Sequence, residues 1–170
     1  ISCGGVLHHM KDPVLGWKRL LECLNKNGLL EIALYSKSAR KDVLKFRSKY
    51  KIKKGTFNIT DLRRIRQKII NDNKDVNRTD IIYSKDFFSL SGFKDLFVNE
   101  NEIQYEISEI KKIVNDLDLS FCGFQFSNYQ AQILRNEKTT EVNLKELSLI
   151  EKKYPYFFAE MYSFWCQKIS

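Results

Sequence analysis

The sequence predicts an α/β protein built on a partial parallel sheet, and three observations in its first 36 residues carry that prediction. Residues 1–9 (ISCGGVLHH) read as a buried strand running into a loop. Asp12-Pro13 has the pattern of a helix cap and first turn, opening a helix through about Asn25. Beyond a stop at Asn27-Gly28, residues 29–35 (LLEIALY) form a second apolar run of strand length. Strand, helix and strand at this spacing make the crossover unit of a parallel sheet. Such units hold ligands at the carboxyl ends of their strands.

The helix of that unit carries Val14, Leu15, Trp17, Leu20, Leu21 and Leu24 near a 3.6-residue period, which predicts one buried stripe. Gly28 suits the left-handed position just past a helix end. Residues 39–50 read as helical, and Thr60-Asp61 caps a further helix over 62–71 with Leu62, Ile65, Ile69 and Ile70 as its apolar side. Residues 71–80 are a polar turn region, so 37–80 reads as a helical insertion and not as another strand–helix unit. The aromatic segment 87–97 is expected to turn at Ser91-Gly92. A strand is expected through 103–106 and a helix over 109–115. Residues 119–126 (LSFCGFQF) are apolar on both faces, as for a strand covered on both sides. Helices follow at 129–135 and 144–153, with Pro155 ending the second, and the aromatic segment 156–165 has helical spacing. The expected organisation is a single partial domain over 1–170, with a basic helical insertion at 37–80 and a helical tail at 127–170.

Composition bounds the function. The apolar and charged fractions, 43% and 29%, are ordinary for a soluble domain able to bury a core. No window approaches roughly 18 uncharged apolar residues, so neither a membrane-spanning helix nor a membrane partner is expected. The chain opens with neither an initiator Met nor a signal-peptide pattern, and Ile1 is expected to be an internal point of a longer protein. Cys3, Cys23, Cys122 and Cys166 form no CxxC pair, which predicts free, mostly buried thiols in a reducing, cytoplasmic compartment. His8 and His9 are the only histidines and are adjacent, so no metal site is expected. The net charge of +8 is local: between Lys37 and Arg78 stand fifteen Lys/Arg against four Asp. Such a patch would bind phosphates in a salt-sensitive way, but it lacks interleaved aromatics for base stacking. A solvated face is the simpler reading, with RNA or another polyanion as the competing partner.

The residues also resemble a known family. Cys3-Gly-Gly-Val-Leu-His-His-Met-Lys-Asp-Pro13, a turn at Lys26-Asn27-Gly28 and a strand ending Tyr35-Ser36 are similar to the second half of class I S-adenosylmethionine-dependent methyltransferases. The segments 34–40 (LYSKSAR), 86–97 (DFFSLSGFKDLF) and 157–165 (FFAEMYSFW) resemble a subgroup often joined to tetratricopeptide repeats. That subgroup carries two histidines after an Arg-Asp-Leu segment; Asn99 and Ile103 stand there in this chain, while Glu102 is kept.

The resemblance implies a Rossmann-like methyltransferase sheet and S-adenosylmethionine as cofactor of the intact parent. It places Cys3 and Gly4 beside the methionine part of that cofactor. The paired His8 and His9 would face opposite ways on an extended backbone, one of them toward the cleft as a base. Tyr35, Ser36, Asp95 and Glu102 are the candidates to line the pocket of an unidentified methyl acceptor. The glycine-rich loop that holds the cofactor in this family has no counterpart, since no GxGxG occurs among the seven glycines. The isolated chain is therefore expected to be an inactive carboxyl-terminal fragment whose sheet an upstream domain or a partner completes. The alternative is a non-enzymatic module that binds RNA, another polyanion or a partner through the basic insertion.

Overall fold

Strands β1 (Ser2–Gly4) and β2 (Leu29–Leu34) pair in parallel, Cys3 opposite Ile32, with helix α1 (Pro13–Glu22) as the crossover between them. This computed structural model describes residues 1–53, 55, 57–72, 85–139 and 142–169. Two compact units emerge, one of residues 1–40 with 101–170 and one of 41–100.

In the first unit the sheet order is β1-β2-β4-β3, where β3 is Leu119–Phe124 and β4 is Tyr162–Lys168. Strand β4 runs antiparallel to both β2 and β3. The carboxyl ends of β1, β2 and β3 therefore share one edge with the start of β4. Leu30, Ile32 and Leu34 of β2 and Tyr162, Phe164 and Cys166 of β4 form the core with α1, α6 (Ile107–Asp116), α7 (Asn128–Asn136) and α8 (Leu144–Lys153). The Lys168 ammonium ends β4 by donating to the carbonyls of Leu21 and Leu24, which satisfies the last turn of α1.

Several sequence expectations change here. The first strand is short and lies at the sheet edge, with Ser2 and Gly4 exposed, and the chain then winds into a 3-10 turn at Leu7–His9. Val14 and Leu15 of α1 are exposed, whereas Pro13, Gly16 and Trp17 are buried. Asn27, at φ 59°, holds the left-handed position expected of Gly28. Gly28 is there for space: a Cβ on it would lie 2.7 Å from the Asn25 carbonyl oxygen. The expected strand at 103–106 is reduced to one bridge, between Ser36 and Tyr105. Strand β3 is bulged between Phe121 and Gly123. The bulge turns Phe121 and Phe124 onto one face, ring centroids 5.2 Å apart, and leaves Cys122 exposed. The tail keeps its two helices, but its aromatic close is β4 and not a helix. Of the four free cysteines, Cys166 is buried, Cys3 half-buried, and Cys23 and Cys122 exposed, against the expectation of mostly buried thiols.

Gly16 sets the distance between α1 and the 3-10 turn. A Cβ there would lie 2.6 Å from Met10 Sδ and 2.8 Å from Leu7 Cδ2, the residues on either side of the histidines. Ala gains helix propensity of about 1 kcal/mol, whereas overpacking costs about 1–3 kcal/mol. We expect Gly16→Ala to lower stability by about 1 kcal/mol in urea unfolding. A more stable variant would show that Leu7 and Met10 yield freely.

The second unit contains α2 (Lys41–Lys49), α3 (Ile59–Asp72), α4 (Lys85–Phe88) and α5 (Leu90–Phe97). Its core is Val43, Phe46, Ile52, Leu62, Ile69, Phe87, Phe93, Leu96, Phe97 and Val98. The turn expected at Ser91-Gly92 falls earlier, where the Ser89 hydroxyl caps α5 by accepting from the Gly92 amide at 2.9 Å. Helix α3 runs through Asp72, so the first two residues of the expected turn region, 71 and 72, are helical; residues 73–80 lie outside the described residues, as do Lys54, Lys74 and Arg78 of the basic run.

Candidate functional site

The carboxyl edge of the first unit gathers most of the candidate residues. Leaving β1, the chain turns at Gly5 (φ 72°) and coils through Leu7–His9. Segment 101–106 is laid across the strand ends: the Ile103 amide donates to the His8 carbonyl and the Tyr105 amide to the Tyr35 carbonyl, both at 2.9 Å. These bonds bring two histidines, a tyrosine and an ion pair into one cluster.

The His8 ring packs on the Tyr35 ring, centroids 3.9 Å apart and tilted 31°. The His9 ring meets His8 edge-on at 4.3 Å, so the 3-10 turn replaces the opposite orientations that an extended backbone would give. The Arg40 guanidinium also lies on Tyr35, 4.2 Å from the ring centroid. Arg40 then grips Glu102 with a two-pronged fork, Nε to Oε1 at 3.0 Å and a terminal nitrogen to Oε2 at 2.6 Å. The two side chains are 5% and 2% exposed, so this is a buried ion pair. Gln104 donates to the same carboxylate at 2.8 Å.

The two histidines have different chemistry. His8 is fully buried, and neither ring nitrogen makes a well-formed hydrogen bond. Burial, with neighbouring His9 and Arg40, pushes its pKa down to about 4 against the opposing effects of Glu102 and the Ala33 carbonyl. It is a neutral imidazole at physiological pH. His9 is half-buried, and its Nδ1 lies 2.9 Å from the Asn101 carbonyl oxygen. A carbonyl only accepts, so Nδ1 carries the proton and Nε2 is the basic nitrogen of the neutral ring.

The other candidates separate. Cys3 is half-buried on β1, where burial raises its thiol pKa, and Gly4 is exposed at the strand end. Ser36 is buried and its hydroxyl donates to Glu151 of α8. Glu151 also accepts from the Tyr162 hydroxyl at 2.6 Å, and burial raises the Tyr162 pKa. That network ties α8 to the sheet. Asp95 is exposed on α5 and belongs to the second unit.

A cavity of about 460 Å³ lies at the same edge, beyond β3 and before β4. Phe126, Tyr129, Tyr156, Phe157, Glu160 and Met161 are among its lining residues, and among the described residues no Lys, Arg or His lines it. A capping box on α7 shapes one wall: the Ser127 amide donates to Gln130 Oε1 at 2.8 Å, and Gln130 Nε2 donates to the Phe157 carbonyl at 2.7 Å. Met161 reaches toward β1, its sulfur 3.9 Å from where a Cβ on Gly5 would stand. None of these lining residues was a sequence candidate; the aromatic density of 156–165 was their signal, read as a helix. Arg40 was hidden among the other cations of the basic run.

The architecture is a partial Rossmann-like α/β sheet, and a solved structure shares it. PKMT2 from Rickettsia typhi matches with a TM-score of 0.57 over 98% of this chain and 34% of that chain, at 17% sequence identity. In sequence, the uncharacterized protein syc1184_c of Synechococcus sp. is 25% identical over 130 residues, which cover 73% of this chain and 31% of that protein. No protein-family model matches the chain. The chain thus spans 31% and 34% of the lengths of the two proteins it resembles. Among the described residues no helix is long and apolar enough to cross a membrane.

Proposed function

We propose that this chain forms the acceptor side of an S-adenosylmethionine-dependent methyltransferase. The observation that carries the reading is the methyltransferase-like sheet, with the histidine cluster and the aromatic cavity on its carboxyl edge. The repeat-linked subgroup remains a likeness of segments 34–40, 86–97 and 157–165.

The end of β1 fits part of such a cofactor. Gly4 is exposed and Gly5 turns sharply away, so the backbone of Cys3 and Gly4 is open to a ligand. These residues would hold the methionine part. When bound, the cofactor supplies an activated methyl group. The 170 residues contain no GxGxG loop for the remaining contacts, so by itself the chain is proposed neither to hold the cofactor tightly nor to turn over.

The cavity suits an amine. Tyr129 and Tyr156 are 61% and 44% exposed and offer aromatic faces to a cation, and Glu160 offers a carboxylate. An ammonium must lose a proton before it can attack a methyl group. His9 Nε2 is the group we assign to take that proton, and His8, neutral and buried, positions His9 by packing. Alignment of the acceptor supplies much of the rate.

Two measurements test this. Calorimetric titration of S-adenosylmethionine into the 170-residue chain should show no tight binding; tight binding would overturn the assignment of the cofactor grip to other residues. Within the complete reading frame, transfer of labelled methyl to a lysine peptide should be slowed about a hundredfold in kcat by His9→Asn, which keeps the donor to Asn101 but removes the base. Tyr129→Ala and Glu160→Gln should mainly raise KM. Unchanged kinetics in all three would sink the assignment.

A further inference from the structure

We propose that the groove at the end of α2 is a docking site for an acidic peptide segment carrying an apolar anchor. This inference rests on the second unit alone and is independent of the methyltransferase reading. The groove is a shallow, open depression of about 580 Å³ lined by Leu44, Arg47, Ser48, Lys51, Ile52 and Lys53. Three of those six side chains are cations, and among the described residues none of the three has a carboxylate partner. The nearby Lys45, by contrast, is paired with Asp42 at 2.8 Å.

Arg47 lies in the last turn of α2, where it also complements the helix dipole. Lys51 and Lys53 lie beyond the helix end and have no such role. The chain reverses there through Lys51 at φ 52°, with the Ile52 amide donating to the Arg47 carbonyl at 2.9 Å. That turn places the cations around an apolar floor. Ile52 is 6% exposed, and Leu44 stands 42% exposed beside it.

Charge complementarity selects an acidic occupant, and the floor selects its class. Among the described residues no aromatic side chain lines the groove, so they offer bases no ring to stack on. A leucine-sized anchor, in contrast, would remove Leu44 from water while flanking carboxylates meet Arg47, Lys51 and Lys53.

The test is fluorescence anisotropy on the full 170-residue chain with four labelled probes: a Glu–Leu peptide, a Glu-only peptide of equal charge, a Lys–Leu peptide and a charge-matched oligouridine. The Glu–Leu peptide should bind at least about tenfold more tightly than the other three. Lys53→Glu should weaken it about tenfold, and Leu44→Ser should bring it to the level of the Glu-only peptide. Both positions are exposed, and circular dichroism with a thermal midpoint checks that each variant is folded. Arg63→Glu with Arg64→Glu, on the exposed side of α3, should change affinity less than about twofold. Equal binding of Glu-only peptide or oligouridine would overturn the proposal. So would an equal loss from the α3 pair, which would mean a diffuse field in place of a site, or binding by none of the probes.

Discussion

Arg40→Ala should destabilise the first unit by about 3–5 kcal/mol, because it leaves the Glu102 carboxylate buried and without its cation. The fork between Arg40 and Glu102 is 5% and 2% exposed, so water cannot replace the lost guanidinium without opening the edge of the sheet. The same guanidinium covers Tyr35, and Tyr35 carries His8. Loss of stability should therefore be accompanied by loss of order at both histidines. Guanidinium unfolding followed by circular dichroism gives the first quantity, and histidine ring proton resonances report the second. The double variant Arg40→Met with Glu102→Met separates the charge from the packing. Replacing a buried ion pair by apolar side chains of similar volume is often close to neutral, so the double variant should recover most of the stability. If Arg40→Ala costs less than about 1 kcal/mol, the pair behaves as a surface salt bridge and does not hold the cluster together.

The parallel unit at the start of the chain was legible because its signals are local. The Asp12 cap is made as expected, its side chain accepting from the Leu15 amide at 3.0 Å. The crossover then follows from strand and helix length alone. The end of the chain was not legible in the same way. Tyr162, Phe164 and Cys166 alternate with Ser163, Trp165 and Gln167 in a period of two, the pattern of a strand with one buried face. The aromatic residues just before it, Tyr156 to Phe158, obscured that period. Whether β4 sits between β2 and β3 depends on long-range pairing that no local window holds. The site was half legible for the same reason. His8, His9 and Tyr35 adjoin strands that the sequence places. Arg40 becomes informative only once Glu102, 62 positions later, meets it. The cavity residues depend on β3 and β4 together. Ser36 was a reasonable pocket candidate from its position after a strand, but its partner Glu151 lies 115 residues away.

Acidification should cost the fold roughly 3 kcal/mol through His8 alone, between pH 6.5 and about 4. In the unfolded chain this imidazole takes a proton near its ordinary value of 6.5, whereas in the folded protein burial holds it to about 4. Between those values the unfolded state binds more protons than the folded one, so stability falls as pH falls. This contribution is fully present above pH 6.5 and is lost once the pH has dropped through about 4. A shift from 6.5 to about 4, at roughly 1.4 kcal/mol for each pH unit, gives the stated magnitude. Of the groups facing His8, His9 and Arg40 disfavour its proton and Glu102 favours it. Other groups also titrate in acid, so the diagnostic quantity is a difference between proteins. His8→Phe keeps an aromatic ring against Tyr35 and removes two buried nitrogens that lack well-formed partners. At pH 7 this variant should be as stable as the parent or more so, since an unsatisfied buried polar group costs about 1–3 kcal/mol. Urea midpoints across the pH range should then show parent and variant diverging as pH falls below 6.5. Parallel curves would mean that His8 reaches a solvent proton in the folded state and that the cluster at the strand ends is open.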